Sequence, residues 1–223
     1  MTKEKIRFYG EPAAGILFLQ MTGALDEEHM EREKRQLRKL SGRKDWCIAA
    51  VPVDSWNQDL SPWEAAPVFG EEGFGDGAEA TLQWLLSEVL PWISEAYPAA
   101  DRKYVIAGYS LAGLFSLYAG YRTKIFSGAV AASPSVWFPG WRDYIRTHAP
   151  EIPCVYLSLG TKEDKTRNPV MSQVGEAIRV QEEALEKDGC RTVLEWNPGN
   201  HFIDSDIRTA KGMARMLEML SET

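Results

Sequence analysis

The 223-residue chain is poor in cysteine and histidine, with three of each, and it has no long run of apolar residues. The cysteines at positions 47, 154 and 190 are far apart and form no Cys-x-x-Cys pair, so neither a disulfide framework nor a metal site is indicated. No apolar stretch approaches the ~18 residues of a membrane-spanning helix, and the first residues lack the apolar core of an export signal. We therefore expect a cytoplasmic protein that needs no metal or other cofactor.

Excess positive charge is also absent, which argues against a nucleic-acid partner. The formal net charge is -7, and the basic run at residues 32–39 is interleaved with Glu31 and Glu33, as on a solvated helix face. The glycine-rich stretch at residues 70–77 follows no strand directly and precedes no Lys-Ser/Thr pair, so a phosphate site is not indicated. We expect a small-molecule ligand, with neither nucleic acid nor membrane as partner; the oligomeric state stays open.

What the chain does contain is a regular alternation of apolar, strand-length runs with segments of helical periodicity. Strands are predicted at residues 6–9, 16–21, 46–51, 103–107, 128–132, 154–159 and 192–196. Helices are predicted at residues 26–40, 79–97, 110–121, 141–147, 169–188 and 205–220. Nearly continuous apolar strands are typical of a sheet covered on both faces, so the pattern predicts one α/β domain over residues 1–223 with a mostly parallel, doubly wound sheet.

Three details of these elements are open to a structural check. The first strand is expected to pair antiparallel at an edge of the sheet. The helix at residues 79–97 should kink or restart at Pro91, because proline lacks the N–H that a helix interior uses. Pro169 suits the first turn of the helix that follows it, where the missing N–H costs nothing.

The most specific motif is Gly108-Tyr109-Ser110-Leu111-Ala112-Gly113, directly after the apolar run at residues 104–107. A serine nucleophile on a tight strand-to-helix turn needs small residues two positions before and after it, and Gly108 and Ala112 supply them. The helix that follows directs its N-terminus at the serine, so the N–H of Leu111 is a candidate oxyanion donor. A serine that only caps a helix is the alternative, but the strand before and the helix after favour a nucleophile.

His201 is the histidine whose position fits a general base. It lies in the turn-rich stretch Asn-Pro-Gly-Asn-His-Phe at residues 197–202, after the last predicted strand, whereas His29 falls in a charged helix and His148 at a helix end. A serine needs such a base to become a good nucleophile. The order of the three groups along the chain, serine, acid and then histidine, is typical of one large class of serine hydrolases.

The acid is expected beyond the strand before that loop, where Glu163 and Asp164 are adjacent. It would hold the imidazole in one tautomer and stabilise the imidazolium. Glu163 is preferred for its spacing from Gly160, and Asp164 is the alternative.

A second oxyanion donor is expected in the loop after the strand at residues 16–21, from the N–H of Gly23 or Ala24. A glycine that simply turns the chain is an equal alternative. Three tryptophans in predicted loops after strands are candidate substrate-binding residues, with packing in the core as the alternative for each: Trp56, Trp63 and Trp137.

These motifs together resemble the putative-esterase group of α/β-hydrolases, which includes the enterochelin and related siderophore esterases and the S-formylglutathione hydrolases. The resemblance rests on residues 108–113, on Ser-Pro-Ser-Val-Trp-Phe at 133–138, on the helix with its Leu90-Pro91, and on Gly-Asn-His-Phe at 199–202; residues 57–63 also resemble the family's pocket-lining segment. It implies an α/β-hydrolase fold, with Ser110 as nucleophile, His201 as base and the acid at Glu163 or Asp164.

The sequence thus predicts a serine hydrolase that acts on carboxylic esters through an acyl-enzyme on Ser110. Acyl transfer to an alcohol and a catalytically silent binding module remain as alternatives. Only one short helix is predicted between the strands that end at Ala132 and begin at Cys154, too little for a separate cap domain. We therefore expect an open cleft that takes bulky esters, with the loop at residues 57–77, made mobile by its glycines, as the other candidate cover.

Overall fold

The computed structural model describes residues 1–222; Thr223, the last residue of the predicted domain, lies outside the described residues. The described residues form a sheet of seven strands: β1 (Arg7–Gly10), β2 (Ile16–Thr22), β3 (Trp46–Pro52), β4 (Lys103–Tyr109), β5 (Phe126–Ala132), β6 (Cys154–Gly160) and β7 (Arg191–Asn197). The strand order is β1-β3-β2-β4-β5-β6-β7. Strand β1 pairs antiparallel with β3 and every other pair is parallel, which confirms the mostly parallel sheet and the antiparallel edge strand.

Helices cover both faces of the sheet, as predicted. One face carries α1 (Glu27–Ser41) and α8 (Ser205–Ser221); the other carries α3 (Ala78–Trp84), α4 (Leu90–Ala96), α5 (Leu111–Arg122), α6 (Trp141–Thr147) and α7 (Val174–Lys187). Successive side chains of a strand point to opposite faces. In β2, Leu17 and Leu19 therefore join the core under α5, while Phe18 joins the core under α1 and α8. Two buried faces explain why the inner strands are apolar almost without interruption.

The helix predicted at residues 79–97 is interrupted, although not by a simple kink. Helices α3 and α4 are joined by a π-helical turn at Leu85–Val89, and Pro91 lies in the first turn of α4. A π turn breaks the regular i to i−4 bonding just where the proline has no N–H to offer. The prediction that the helix restarts near Pro91 is thus confirmed, and the wide turn is the local means.

Other local predictions are wrong. Helix α7 begins at Val174, so Pro169 lies before its first turn; the Asn168 side chain accepts from the N–H groups of Val170 and Met171 and holds residues 168–171 in a separate turn. Trp56 lies not in a loop but at the start of the short helix α2 (Trp56–Asp59), which is too short to show a periodicity.

The basic run at residues 32–39 contains Glu33, and the prediction of a solvated helix face is wrong for this residue. Glu33 is fully buried between α1 and the sheet. Gln20 on β2 donates to one of its carboxyl oxygens at 3.1 Å, and within residues 1–222 the other oxygen has no hydrogen-bond partner. Burial raises the pKa of Glu33 to about 8, against the opposing effect of the Gln20 bond and with a small addition from the charge of Asp206. The carboxyl is therefore neutral in the folded protein at neutral pH.

Glu33 makes folding stability depend on pH, and Glu33→Gln should remove that dependence. Between the ordinary value of 4.5 and about 8, the folded state holds a proton that the unfolded state releases, so stability falls as pH rises through this window. Each pH unit costs roughly 1.4 kcal/mol. We expect the variant to match the wild type near pH 5 and to be more stable by a few kcal/mol near pH 8. Urea unfolding at both pH values checks this; the same difference at both would contradict it.

Candidate active site

Ser110 occupies a strained turn between β4 and α5. Its φ of +59° is in a region that residues other than glycine rarely adopt, and strain of this kind concentrates at functional sites. The turn is fixed by two backbone bonds: the Ser110 N–H donates to the carbonyl of Ala132, and the Ser135 N–H donates to the carbonyl of Ser110. Ser110 itself precedes the helix, although the sequence predicted it as the first helical residue.

The demand for small residues around this turn is visible at Gly108. A Cβ at position 108 would stand 2.4 Å from the backbone carbonyl of Ala112, closer than any real contact. The nearest atoms belong to the backbone, which cannot move away as a flexible side chain could. The glycine two residues before the serine is therefore required by the close approach of the first turn of α5.

Three predicted side chains meet at the carboxyl ends of the strands. The Oγ of Ser110 lies 3.0 Å from Nε2 of His201, and Nδ1 of the same ring lies 2.7 Å from Oε2 of Glu163. Glu163 follows β6 and His201 follows β7, so the parallel sheet delivers both loops to the same edge as the turn after β4. A carboxylate can only accept, so this contact fixes the proton of the neutral imidazole on Nδ1 and leaves Nε2 to accept from the serine.

Asp164, the alternative acid, is not part of this chain of hydrogen bonds. One of its oxygens pairs with the Lys165 ammonium at 3.3 Å, and the side chain is about one-third exposed. The other oxygen is buried and has no hydrogen-bond partner within residues 1–222. The two adjacent carboxylates thus point in different directions, and only Glu163 reaches the imidazole.

Glu163 is almost fully buried and accepts four hydrogen bonds, one of them from His201. Its Oε1 accepts from the Ser133 hydroxyl at 2.7 Å, from the Gly160 N–H at 2.7 Å and from the Arg208 guanidinium at 3.0 Å. Burial raises the pKa of this carboxyl, but the hydrogen bond and charge of His201 lower it, and the bonds from Ser133 and Gly160 lower it further. The net pKa is below the ordinary value, so the carboxyl is ionised at neutral pH.

Sequence reasoning assigned no role to Ser133 or Arg208. Ser133 has a φ of +43°, which turns its hydroxyl to Glu163 at the end of β5; in the sequence, the Ser-Pro-Ser stretch that contains it indicates only a family resemblance. Arg208 lies on α8 with 1% of its surface exposed. A single arginine in an amphipathic helix carries no sequence signal for burial.

Of the predicted oxyanion donors, Leu111 directly follows Ser110 in the chain. The N–H of Leu111 belongs to the first turn of α5, where helix N–H groups have no acceptor within the helix. Gly23 and Ala24 lie in the loop after β2 and, together with Tyr109 and Trp56, line a pocket of about 260 Å³. This pocket brings the loop to the residue before the nucleophile.

The three tryptophans lie in two surroundings, a pocket beside Trp56 and an aromatic cluster in which Phe74 and Phe138 link Trp63 to Trp137. Trp56 lines the pocket just described. Trp63 donates from its indole to the carbonyl of Pro139 and stacks on Trp141 of α6, with ring centroids 6.3 Å apart. Trp137 packs edge-on against Phe69, which is about half exposed. The loop at residues 57–77 is held by these contacts and by backbone bonds from Gly75 to Asn57 and from Gly77 to Gln58. Gly75 and Gly77 pack closely against Gln58, whereas a Cβ at Gly70 would have open space around it.

The remaining histidines lie on α1 and at the end of α6. His148 stacks on Tyr144, with ring centroids 4.0 Å apart. His29 on α1 lies 3.9 Å from Glu33 and lines the same pocket as Gly23, Ala24 and Trp56. No group of three or more histidine, cysteine or acidic side chains in residues 1–222 could hold a metal ion, and within the same residues no helix has the length and apolar character needed to cross a membrane.

The profile of the family described as Putative esterase matches residues 29–191, which is most of the chain. The chain belongs to the Putative esterase family. Membership supports ester hydrolysis as the general activity. The chain matches no curated protein sequence.

Solved structures similar to this member of the Putative esterase family have the α/β-hydrolase fold. A siderophore hydrolase, EstA, from Aspergillus nidulans is 20% identical, with a TM-score of 0.66 over 93% of this chain and 83% of that one. The BES protein from Bacillus cereus is 18% identical, with a TM-score of 0.66 over 94% and 87% of the two chains. The enterobactin esterase FES from Shigella flexneri is 15% identical with a TM-score of 0.67, and the 96% of this chain that aligns spans 55% of that protein.

Proposed function

We propose that the protein hydrolyses carboxylic esters through an acyl-enzyme formed on Ser110. The observation that carries this proposal is the continuous chain of hydrogen bonds from the Ser110 hydroxyl through His201 to Glu163, at 3.0 and 2.7 Å. Contacts of this length are those that a nucleophile, its base and the group that orients the base require. Membership of the Putative esterase family supports the same chemistry.

In the proposed mechanism Ser110 attacks the acyl carbon while His201 Nε2 takes the hydroxyl proton. The imidazolium is stabilised by the ionised Glu163 on its other nitrogen. When the tetrahedral intermediate collapses, the same proton passes to the leaving alcohol and the acyl group stays on Ser110. A water then attacks the acyl carbon while Nε2 takes one of its protons. When this second intermediate collapses, the bond from the acyl carbon to Ser110 Oγ breaks, Nε2 returns the proton to that oxygen, and the acid is released.

The oxyanion of each intermediate needs preorganised donors. The N–H of Leu111 is the first, because its position at the start of α5 leaves it without a helical acceptor. The second is an N–H of Gly23 or Ala24 in the loop that borders the pocket beside Tyr109. Backbone donors held by a strand end and a helix start do not have to reorganise during the reaction, which is the source of their catalytic value.

The substrate is proposed to be an ester with bulky acyl or alcohol parts, such as those of siderophores. In residues 1–222 only α6 and its flanking turns lie between β5 and β6, so no cap domain is inserted there. Ser110 is partly exposed, and Tyr109, the residue before it, lines the pocket that Trp56 also lines. Siderophore and enterobactin esterases are among the similar structures, which supports this substrate class as a starting point for a screen.

Covalent labelling tests the proposal directly. A fluorophosphonate should add one adduct to the wild-type protein, and peptide mapping should place it on Ser110. The Ser110→Ala variant should stay unlabelled, while His148→Ala, remote from the site, should label like the wild type. Failure of the folded wild-type protein to label, together with absence of turnover across a panel of esters and thioesters, would favour a silent binding module.

The two adjacent carboxylates provide a matched comparison. Glu163→Gln should lower kcat by ~10²-fold or more, because an amide cannot stabilise the imidazolium and can hold the wrong tautomer. Asp164→Asn should lower it less than about twofold, since only a partly exposed pair with Lys165 is lost. Steady-state kinetics on one soluble ester decides between them. A larger loss of kcat in Asp164→Asn than in Glu163→Gln would assign the acid to Asp164. A small loss in both variants would mean that Ser110 and His201 work as a dyad without an acid.

A further inference from the structure

The buried guanidinium of Arg208 contacts every segment that carries a proposed catalytic group. Its Nη1 donates to Oε1 of Glu163 at 3.0 Å, to the Ser133 hydroxyl at 3.3 Å and to the Tyr109 hydroxyl at 3.1 Å. Its Nη2 donates to the carbonyl of Pro198 at 2.8 Å. Arg208 therefore binds the acid itself, the residue before the nucleophile and the loop that bears the base.

Tyr109 extends this network to His201. Its hydroxyl accepts from Arg208 and donates to the carbonyl of His201 at 2.9 Å. The histidine loop is thus held at two carbonyls, that of Pro198 directly and that of His201 through Tyr109. Only a planar group with several donors can serve these acceptors at once, because lysine offers a single point charge.

Gly160 makes close packing possible at the point where the guanidinium meets the acid. A Cβ at Gly160 would stand 2.6 Å from the carbonyl oxygen of Gly199, 2.8 Å from Oε1 of Glu163 and 2.9 Å from Nη1 of Arg208; Gly199 itself has a φ of +99°. Both glycines lie at the two loops that the guanidinium joins. A buried cation is costly unless it is paired, and the Arg208–Glu163 pair has side chains only 2% and 4% exposed.

We propose that Arg208 is a positioning residue that holds Glu163 and the histidine loop in register with Ser110, and that its charge sets the pH range of the reaction. The inference rests on the proposed function. An ionised Glu163 without a neighbouring cation would favour the imidazolium strongly and keep the base protonated to higher pH. Arg208 offsets part of that negative charge, so we expect removal of the guanidinium charge to move the acid side of the pH profile upward.

The other ionisable groups around the site leave this role to Arg208. Asp164 pairs with Lys165, Asp206 on α8 pairs with Arg32, and Lys162 and Asp204 are exposed. Tyr109 is the titratable group in contact with both Arg208 and the histidine loop, and a tyrosine is neutral in the range where imidazole titrates. Of these groups, only Arg208 places a buried positive charge on Glu163.

The test compares pH profiles of kcat/KM for Arg208→Gln, Arg208→Lys and the wild type. In the neutral variant, kcat should fall by ~10-fold or more, and the acid limb of the profile should move up by about one pH unit. In Arg208→Lys the charge remains but the fork of donors is lost, so kcat should fall while the acid limb stays in place. Arg215→Gln, on the same helix and paired with Glu218, removes one positive charge as a control and should leave both kcat and the acid limb unchanged.

The outcomes separate this inference from the proposed function. A folded Arg208→Gln with the wild-type acid limb would overturn the inference while Ser110-dependent turnover stands. A shift of equal size in Arg208→Lys would show that the charge is not what matters. If Arg208→Gln does not fold, Arg208→Lys still decides: a lowered kcat with an unmoved limb supports the role, and a wild-type kcat overturns it. If the wild-type protein itself hydrolyses no ester, the proposed function is overturned instead.

Discussion

Ser110→Ala is expected to lower kcat for ester hydrolysis by ~10⁴-fold or more while the protein stays folded. The hydroxyl is the only group lost, and its oxygen is the atom that His201 contacts at 3.0 Å. Without it no acyl-enzyme can form, and only activation of water by the remaining groups is left. Turnover of a chromogenic ester at saturating concentration, with circular dichroism and thermal unfolding of the same samples, measures both parts of the expectation.

A neighbouring serine supplies the matched control for this variant. The Oγ of Ser135 lies 3.5 Å from the Oγ of Ser110, so Ser135 provides a second hydroxyl close to the site. Its side chain is buried. The His201 ring bonds to Ser110 and Glu163 instead, so Ser135→Ala should keep most of the activity. Activity retained in Ser110→Ala, once contaminating esterases are excluded, would end the proposed mechanism; activity lost only in Ser135→Ala would move the nucleophile.

The second large effect is expected for His201→Ala, with a loss of kcat comparable to that of Ser110→Ala, because residues that act as a unit are not additive. The double variant should therefore be little worse than either single variant. His148→Ala should be nearly silent, since that ring stacks on Tyr144 at the end of α6. A large loss of kcat in a folded His148→Ala protein, or a mild one in His201→Ala, would show that the position in the chain had indicated the wrong base.

Strand positions are predictable because the inner strands are buried on both faces. The predicted strand at residues 16–21 and the observed Ile16–Thr22 differ by one residue, and the antiparallel edge strand is confirmed as well. The turn at Ser110 follows from steric demands that act within five residues, from Gly108 to Ala112. Local sequence carries this steric information, whereas the bonds to Ala132 and Ser135 that also fix the turn come from a distant segment. The order of strands in the sheet depends instead on contacts between distant segments, so no local pattern predicts it.

The parts that sequence missed are polar groups whose burial is decided by distant segments. Glu33 lies in a charged stretch, yet it faces the sheet because it shares a stripe of α1 with Met30 and Leu37. Arg208 is buried because segments around positions 109, 163 and 198, far apart in the chain, converge on it. Periodicity places such residues on a helix face, but the partners that make their burial tolerable cannot be found by reading along the chain.

The tryptophans illustrate a related limit. All three follow strands, and that position alone predicts a common wall. In the structure, Phe74 and Phe138 link Trp63 and Trp137 in one aromatic cluster, whereas Trp56 lines the pocket beside Tyr109. Which of them contact substrate is still a prediction. A position after a strand predicts the region of the fold in which a tryptophan lies. The aromatic side chains that pack against the indole determine its orientation.

The location of Arg208 on α8 has a consequence for protein synthesis. A nascent chain that has grown as far as His201 already contains the proposed nucleophile, acid and base, but it lacks the guanidinium that binds all three of their segments. Helix α8 also covers one face of the sheet together with α1. On the ribosome, the chain should therefore stay unreactive towards fluorophosphonate until α8 has left the exit tunnel.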